Sequence, residues 1–205
     1  MEIQGIFDHG NGWWVDEAFR IVSDKSGARK SKIRMIVLHW TAAPLKTIEE
    51  NLARIKSWAT NKEQKSTHFV ILRDGRVFQM IQTNRRAWHA GDSAWTCEDG
   101  TNSKKSVNDF AIGIDFDLVG PVTQTAAGLR DCYGGDFRGN AQKGPDGKLY
   151  EPPTNEQLWA ARVLVDALSR SFSIPNRDIV GHKDVSPGRK IDPGPFVSLH
   201  SLGLE

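Results

Sequence analysis

Apolar and polar positions divide this chain into a few short buried runs and two amphipathic stretches. Met35-Ile36-Val37-Leu38 is a continuous apolar run that ends at His39, the pattern of a strand buried on both faces. Thr47 and Glu50 form a capping box, and Ile48, Leu52, Ile55 and Ala59 follow at helical spacing. That pattern predicts an amphipathic helix over 47–59. His68-Phe69-Val70-Ile71-Leu72 and Arg76-Val77-Phe78-Gln79-Met80-Ile81 flank the turn pair Asp74-Gly75, which predicts a hairpin. Ala111 to Phe116 reads as another strand, with Gly113 inside it. Thr154 and Gln157 form a second capping box, and Leu158, Ala161, Val165 and Leu168 extend a helix to about residue 172. Ile179-Val180-Gly181 is a last short strand, and it ends at His182.

The order strand, helix, hairpin, strand, helix, strand implies the α/β class: a single domain with a central mixed β-sheet flanked by α-helices. Two of its strands deliver a histidine at their C-terminal ends. Residues 1–32 are polar and broken by glycine, and read as an irregular N-terminal arm before a domain at 33–205. The stretch from about 119 to 153 is rich in Gly, Gln, Asp and Pro and shows no period. It is long for a plain connection, so a loop-rich insertion is expected there.

A chain of 205 residues fills one core and leaves little over. With 39% hydrophobic and 25% charged residues it belongs with globular proteins rather than disordered ones. A net charge of +2 is too weak to argue for nucleic acid and reads as ordinary surface charge, although it suits an anionic polymer. No stretch reaches transmembrane length, and Met1 to Arg20 lacks an apolar signal core. Neither membrane insertion nor a Sec signal peptide is expected. Cys97 and Cys132 are the two cysteines. They leave open a loop-stapling disulfide or two free thiols, and their number excludes a thiolate zinc site.

The segment from Gly181 to Phe196 concentrates the chemistry, with His182, Lys190 and Asp192 among Pro and Gly residues that forbid a long helix. A tight loop of this kind can fold Asp192 back toward His182. Catalytic zinc takes three protein ligands plus water, with imidazole nitrogen and carboxylate oxygen at about 2.0–2.2 Å. His39, His182 and Asp192 would make such a set, though spacing alone does not pair His39 with the other two.

Several short words resemble the N-acetylmuramoyl-L-alanine amidase type 2 family. Its members include AmpD-like muropeptide amidases, phage lysozymes of the amidase kind and animal peptidoglycan recognition proteins. The words are Ile36-Val37-Leu38-His39-Trp40-Thr41, Ser66-Thr67-His68-Phe69-Val70-Ile71, Asp74-Gly75-Arg76-Val77-Phe78-Gln79, Ala87-Trp88-His89-Ala90-Gly91, Ile112-Gly113-Ile114-Asp115 and His182 through Gly194. They stand in the family's order across about residues 34–196, and their combination is far more specific than any one of them.

The resemblance implies a Zn²⁺ centre of His39, His182 and Asp192 within an amidase catalytic domain. It implies that Lys190 stabilises the oxyanion and that Asp115 is the general base. Asp115 stands where AmpD-like members carry Glu, one methylene longer, so Asp117, two residues on along the strand, is the alternative. The insertion at about 119–153 is a second departure from the compact members.

Weighed singly, each residue also has a plainer reading. His39 and His182 alone would be hydrogen-bonded core histidines; the full set of words favours metal. His68 is read equally as a buried structural residue or as part of the cleft wall. His89 and Trp88 are expected to face the groove and touch substrate. Trp13, Trp14 and Trp95 are expected to pack rather than stack on sugars, Arg189 to be solvated, and His9 and His200 to lie on the surface.

The implied activity is zinc-dependent hydrolysis of the amide between N-acetylmuramic acid and L-alanine in peptidoglycan or muropeptides. Two alternatives stand beside it: a non-catalytic recognition module, and the same chemistry used as an antibacterial toxin or phage endolysin, with an immunity protein as partner in the toxin case. The implied origin is a bacterium or phage. The implied location is the cytoplasm, or the periplasm after lysis or dedicated secretion.

Overall fold

The computed structural model describes residues 5–44 and 47–205; residues 1–4 of the expected arm lie outside them. In chain order the elements are β1 (Ser26–Ala28), β2 (Met35–Trp40), α1 (Ile48–Thr60), β3 (Phe69–Ile71), β4 (Val77–Gln79), β5 (Arg85–Ala87), β6 (Trp95–Thr96), β7 (Asn102–Ser103) and β8 (Ala111–Phe116). There follow β9 (Pro121–Thr125), β10 (Gly128–Arg130), β11 (Gln142–Lys143), β12 (Leu149–Tyr150), α2 (Asn155–Phe172), β13 (Ile179–Gly181), α3 (His182–Val185) and α4 (Leu199–Leu202).

The central sheet has the order β13-β2-β8-β3-β4. β13, β2, β8 and β3 run parallel, and β4 returns antiparallel to β3. This is the mixed sheet that the sequence implies. β2 and β8 occupy inner positions and are covered on both faces, which accounts for their unbroken apolar runs. Ile36, Leu38, Ile112, Ile114 and Phe116 pack against Ala161, Leu164, Val165 and Leu168 of α2. On the other face Val70 and Leu72 meet Ile55 and Ala59 of α1, while Met35, Val37 and Ala111 meet Ala90, Val107 and Val185. His39 and Asp115 sit at odd positions of β2 and β8, so they share that second face.

Both capping boxes form. Thr47 accepts from the Glu50 amide at 3.2 Å and Thr154 from the Gln157 amide at 3.1 Å, each with the reciprocal side-chain bond. Such caps satisfy amide donors left free in a first helical turn.

Two segments expected to be irregular are better organised than their composition suggests. The 119–153 stretch folds into a small antiparallel sheet, β10-β9-β12-β11, over a core of Val119, Val122 and Phe137. The arm has little regular structure, yet β1 pairs with β5, and Trp14 and Val15 enter the main core. Trp14 is fixed there by its backbone amide donating to Gln79 Oε1 at 2.7 Å. Trp13 carries the Arg20 guanidinium over its ring, and Trp95 donates to Asp178 Oδ1 at 2.9 Å. Cys97 is buried and Cys132 exposed, and both are free thiols. No helix among the described residues is long and apolar enough to cross a membrane.

Candidate metal centre and cleft

The parallel strands end at one edge of the sheet, where open α/β sheets place their binding crevices. A cleft of about 520 Å³ opens there. β2 brings His39 to its floor. β13 ends at Gly181, and His182 begins the short helix α3. The chain then turns back so that the Lys183 amide donates to the Asp192 carbonyl at 2.9 Å, which returns Asp192 to His182 as the loop composition suggests. Gly194 follows with a positive φ of 80°, and a β-carbon there would lie 2.7 Å from the Trp40 ring. Both facts require glycine at this corner.

Three ligand atoms converge. His39 Nδ1 and His182 Nδ1 are 3.0 Å apart, and Asp192 Oδ2 lies 3.1 Å from the first and 3.0 Å from the second. Tetrahedral ligands at about 2.0–2.1 Å from zinc stand about 3.3 Å from one another, so the set matches a zinc centre in donor type and spacing. All three residues are buried. Burial alone would raise the Asp192 carboxyl, but hydrogen bonds to His182 and His39 outweigh it and hold the carboxyl well below the usual carboxylate range. The group is therefore an anion ready to ligate a cation. Behind these three side chains, His182 Nε2 lies 3.0 Å from the Ala90 carbonyl and His39 Nε2 lies 2.9 Å from His89 Nδ1.

Asp115 lines the same cleft and pairs in register with His39 across the β2–β8 ladder. Burial raises its pKa above the ordinary value, partly offset by the neighbouring His39 and a hydrogen bond with Thr67. Lys190 and Trp88 also line the cleft, the latter with the Arg86 guanidinium 4.1 Å from its ring centre. His89 borders it as well, with its pKa pushed well below the usual value by burial first and then by His39 and His68.

Other expectations are corrected. Asp117 follows the last residue of β8, so strand alternation no longer governs it. It is fully buried, accepting from Arg73 Nη1 and Asn51 Nδ2 at 3.0 Å each and from Thr41 Oγ1 at 3.3 Å. Arg73 also grips Glu151 through two bonds of 3.0 Å, tying the small sheet to the main one. His68 lies beneath the cleft, wholly buried. Its Nδ1 accepts from the Gly113 amide at 3.0 Å, which places its proton on Nε2, donating to the Arg85 carbonyl at 3.1 Å. Arg189, expected to be solvated, ties down a loop through the Ala90 and Asp92 carbonyls and Ser186 Oγ.

The cleft also holds residues the sequence did not single out: Trp40, Arg54, Trp58 and Tyr133. Tyr133 comes from a glycine-rich part of the insertion and is 63% exposed. Only its aromaticity in a polar stretch could have marked it.

Comparison with known proteins agrees with this geometry. The model of the family described as N-acetylmuramoyl-L-alanine amidase matches residues 29–195. The chain belongs to this family. Among curated members, the 1,6-anhydro-N-acetylmuramyl-L-alanine amidase AmpD of Haemophilus influenzae is 32% identical over 132 residues, 64% of this chain and 53% of its own length. The N-acetylmuramoyl-L-alanine amidase AmiD of Escherichia coli is 28% identical over 181 residues, 85% of this chain and 53% of its own. The chain thus spans about half the length of the curated amidases it matches. A crystal structure of an AmpD selenomethionine derivative shares the fold, with a TM-score of 0.63 at 22% identity, covering 97% of both chains. The E. coli AmiD structure bound to anhydro-N-acetylmuramic acid-L-Ala-D-γ-Glu-L-Lys gives 0.59 at 24% identity, covering 97% of this chain and 65% of the other.

Proposed function

We propose that this amidase-family chain hydrolyses the amide between N-acetylmuramic acid and L-alanine in muropeptides or peptidoglycan, with zinc held by His39, His182 and Asp192. The observation that carries the reading is the convergence of those three ligand atoms within 3.1 Å of one another, next to Asp115 in one cleft. The AmiD structure with an anhydromuramyl tripeptide supports a muropeptide as substrate.

Zinc, when bound, supplies a Lewis acid that activates water near neutral pH. Asp115 is the general base. It takes a proton from the attacking water and returns it to the departing L-alanine amine. Its raised pKa suits a carboxyl that must hold a proton between those two transfers. Lys190 at the cleft wall offers positive charge to the oxyanion developing on the lactyl carbonyl. Trp88 gives the sugar or peptide an apolar surface.

The test is substitution of the ligands. His39→Ala and Asp192→Ala are each expected to lose zinc and hydrolysis together. Full activity in either variant would sink the assignment.

A further inference from the structure

Among the described residues the His89 side chain has one hydrogen-bonding neighbour, and that neighbour is a proposed zinc ligand. Its Nδ1 lies 2.9 Å from His39 Nε2. His68 is close, with ring centres 5.7 Å apart, but both His68 nitrogens are engaged elsewhere. His89 Nε2 is buried and has no hydrogen-bond partner among the described residues. A buried donor without a partner is costly, and an apolar side chain of similar size would avoid that cost.

The proton positions follow from the ligand geometry. His39 faces its co-ligands through Nδ1, so that nitrogen carries a lone pair when it ligates and the proton sits on Nε2. The Nε2–H then donates to His89 Nδ1, which leaves the His89 proton on its own Nε2. The orphaned nitrogen is therefore the consequence of presenting an acceptor to His39. The second ligand is oriented in the same way by the next residue, because His182 Nε2 faces the Ala90 carbonyl. One short loop thus aims both imidazoles, and it is anchored by the Ala90 amide donating to Asn108 Oδ1 at 2.9 Å.

Room for the His89 ring comes from Gly113 in β8. A β-carbon there would lie 2.6 Å from His89 Cγ and 2.8 Å from Nδ1. Gly113 stands two register steps before the His39–Asp115 pair, opposite Val37 and on the same face of the sheet. A glycine inside a central strand weakens it, and this one admits the imidazole.

We propose that His89 is a positioning residue. It accepts the His39 Nε2 proton, fixes the tautomer and angle that turn His39 Nδ1 toward zinc, and depends on Gly113 for its place. This rests on the metal reading given above. Outer hydrogen bonds to zinc-binding histidines typically contribute about 10–100-fold in metal affinity.

The experiment is zinc affinity of the full chain, measured by competition with a chromophoric chelator, for the parent, His89→Leu, His89→Asn and Gly113→Ala. Melting of each metal-free protein is measured alongside. Asn offers a carbonyl oxygen near the place of Nδ1. The expected result is weaker zinc binding by about 10–100-fold for His89→Leu and Gly113→Ala, with His89→Asn close to the parent. Metal-free melting of His89→Leu and His89→Asn should not account for that difference. If a zinc-binding parent is matched by His89→Leu, or if Asn binds as weakly as Leu, the positioning role is overturned while the metal centre stands. If the parent binds no zinc, the metal reading falls and takes this one with it.

Discussion

His39 and Asp115 are register partners on adjacent parallel strands, β2 and β8, and both point into the cleft. The sheet itself therefore sets a proposed ligand beside the proposed base. Replacing the base should separate binding from chemistry. Asp115→Asn is expected to keep its zinc and lose about 10²–10⁴-fold in kcat, the usual contribution of a positioned acid or base. Metal content and turnover measured on the same preparation check this. Unchanged turnover would move the base elsewhere.

Asp117 supplies the control. It does not line the cleft and is locked to Arg73, Asn51 and Thr41, so Asp117→Asn is expected to lower stability and leave chemistry intact in the folded protein. Arg73 has more to lose, because it neutralises both Asp117 and Glu151, which are buried with it. Removing one member of a buried ionic cluster costs about 3–5 kcal/mol. Urea unfolding of Arg73→Met should show a loss of that order; a loss near zero would contradict the role given to this cluster.

His68 makes stability depend on acid. Burial first, then Arg29, lowers its pKa from 6.5 to about 3 in the folded protein. Between those values the unfolded chain binds one more proton than the folded chain. Its neutral burial is therefore unopposed above the unfolded value, and stability is lost as pH falls toward the folded one, by ~1.4 kcal/mol per pH unit. His68→Gln is expected to remove that share of the slope between about pH 6 and 4 in metal-free protein, as measured by denaturant unfolding. An unchanged slope would mean that His68 is already charged in the folded state.

Trp14 tests the place of the arm in the fold. It is 3% exposed and packs against Phe172 at the end of α2, with ring centres 5.7 Å apart. Trp14→Ala is expected to cost about 3–5 kcal/mol, as for other large buried aromatics, measured as a shift of the unfolding midpoint. A cost below about 1 kcal/mol would show that the arm merely rests on the surface.

Much of this architecture was legible in local pattern. β2, β8 and β13 are apolar runs, and both helices open on capping boxes that form as read. The proposed ligand set was legible because His39 lies near the end of one apolar run, His182 directly follows another, and Asp192 sits in a loop that proline and glycine bend back. The small sheet over 119–153 was not, since β11 and β12 are two residues each and β9 has one buried position, too little for any period to register. Asp117 was misplaced because the alternation rule was carried past Phe116, where the strand ends. The tie between His89 and Gly113 depends on pairing distant segments, which no local pattern reports.

Two properties define the proposed activity: the bond that is cut and the metal that cutting requires. Mass spectrometry of an anhydro-N-acetylmuramyl tripeptide, incubated with the protein before chelation, after chelation and after zinc is restored, addresses both at once. The expected product is a peptide with a free L-alanine amine, lost on chelation and recovered with zinc. An intact muropeptide after incubation with zinc-loaded protein, or cleavage at any other bond, would contradict it.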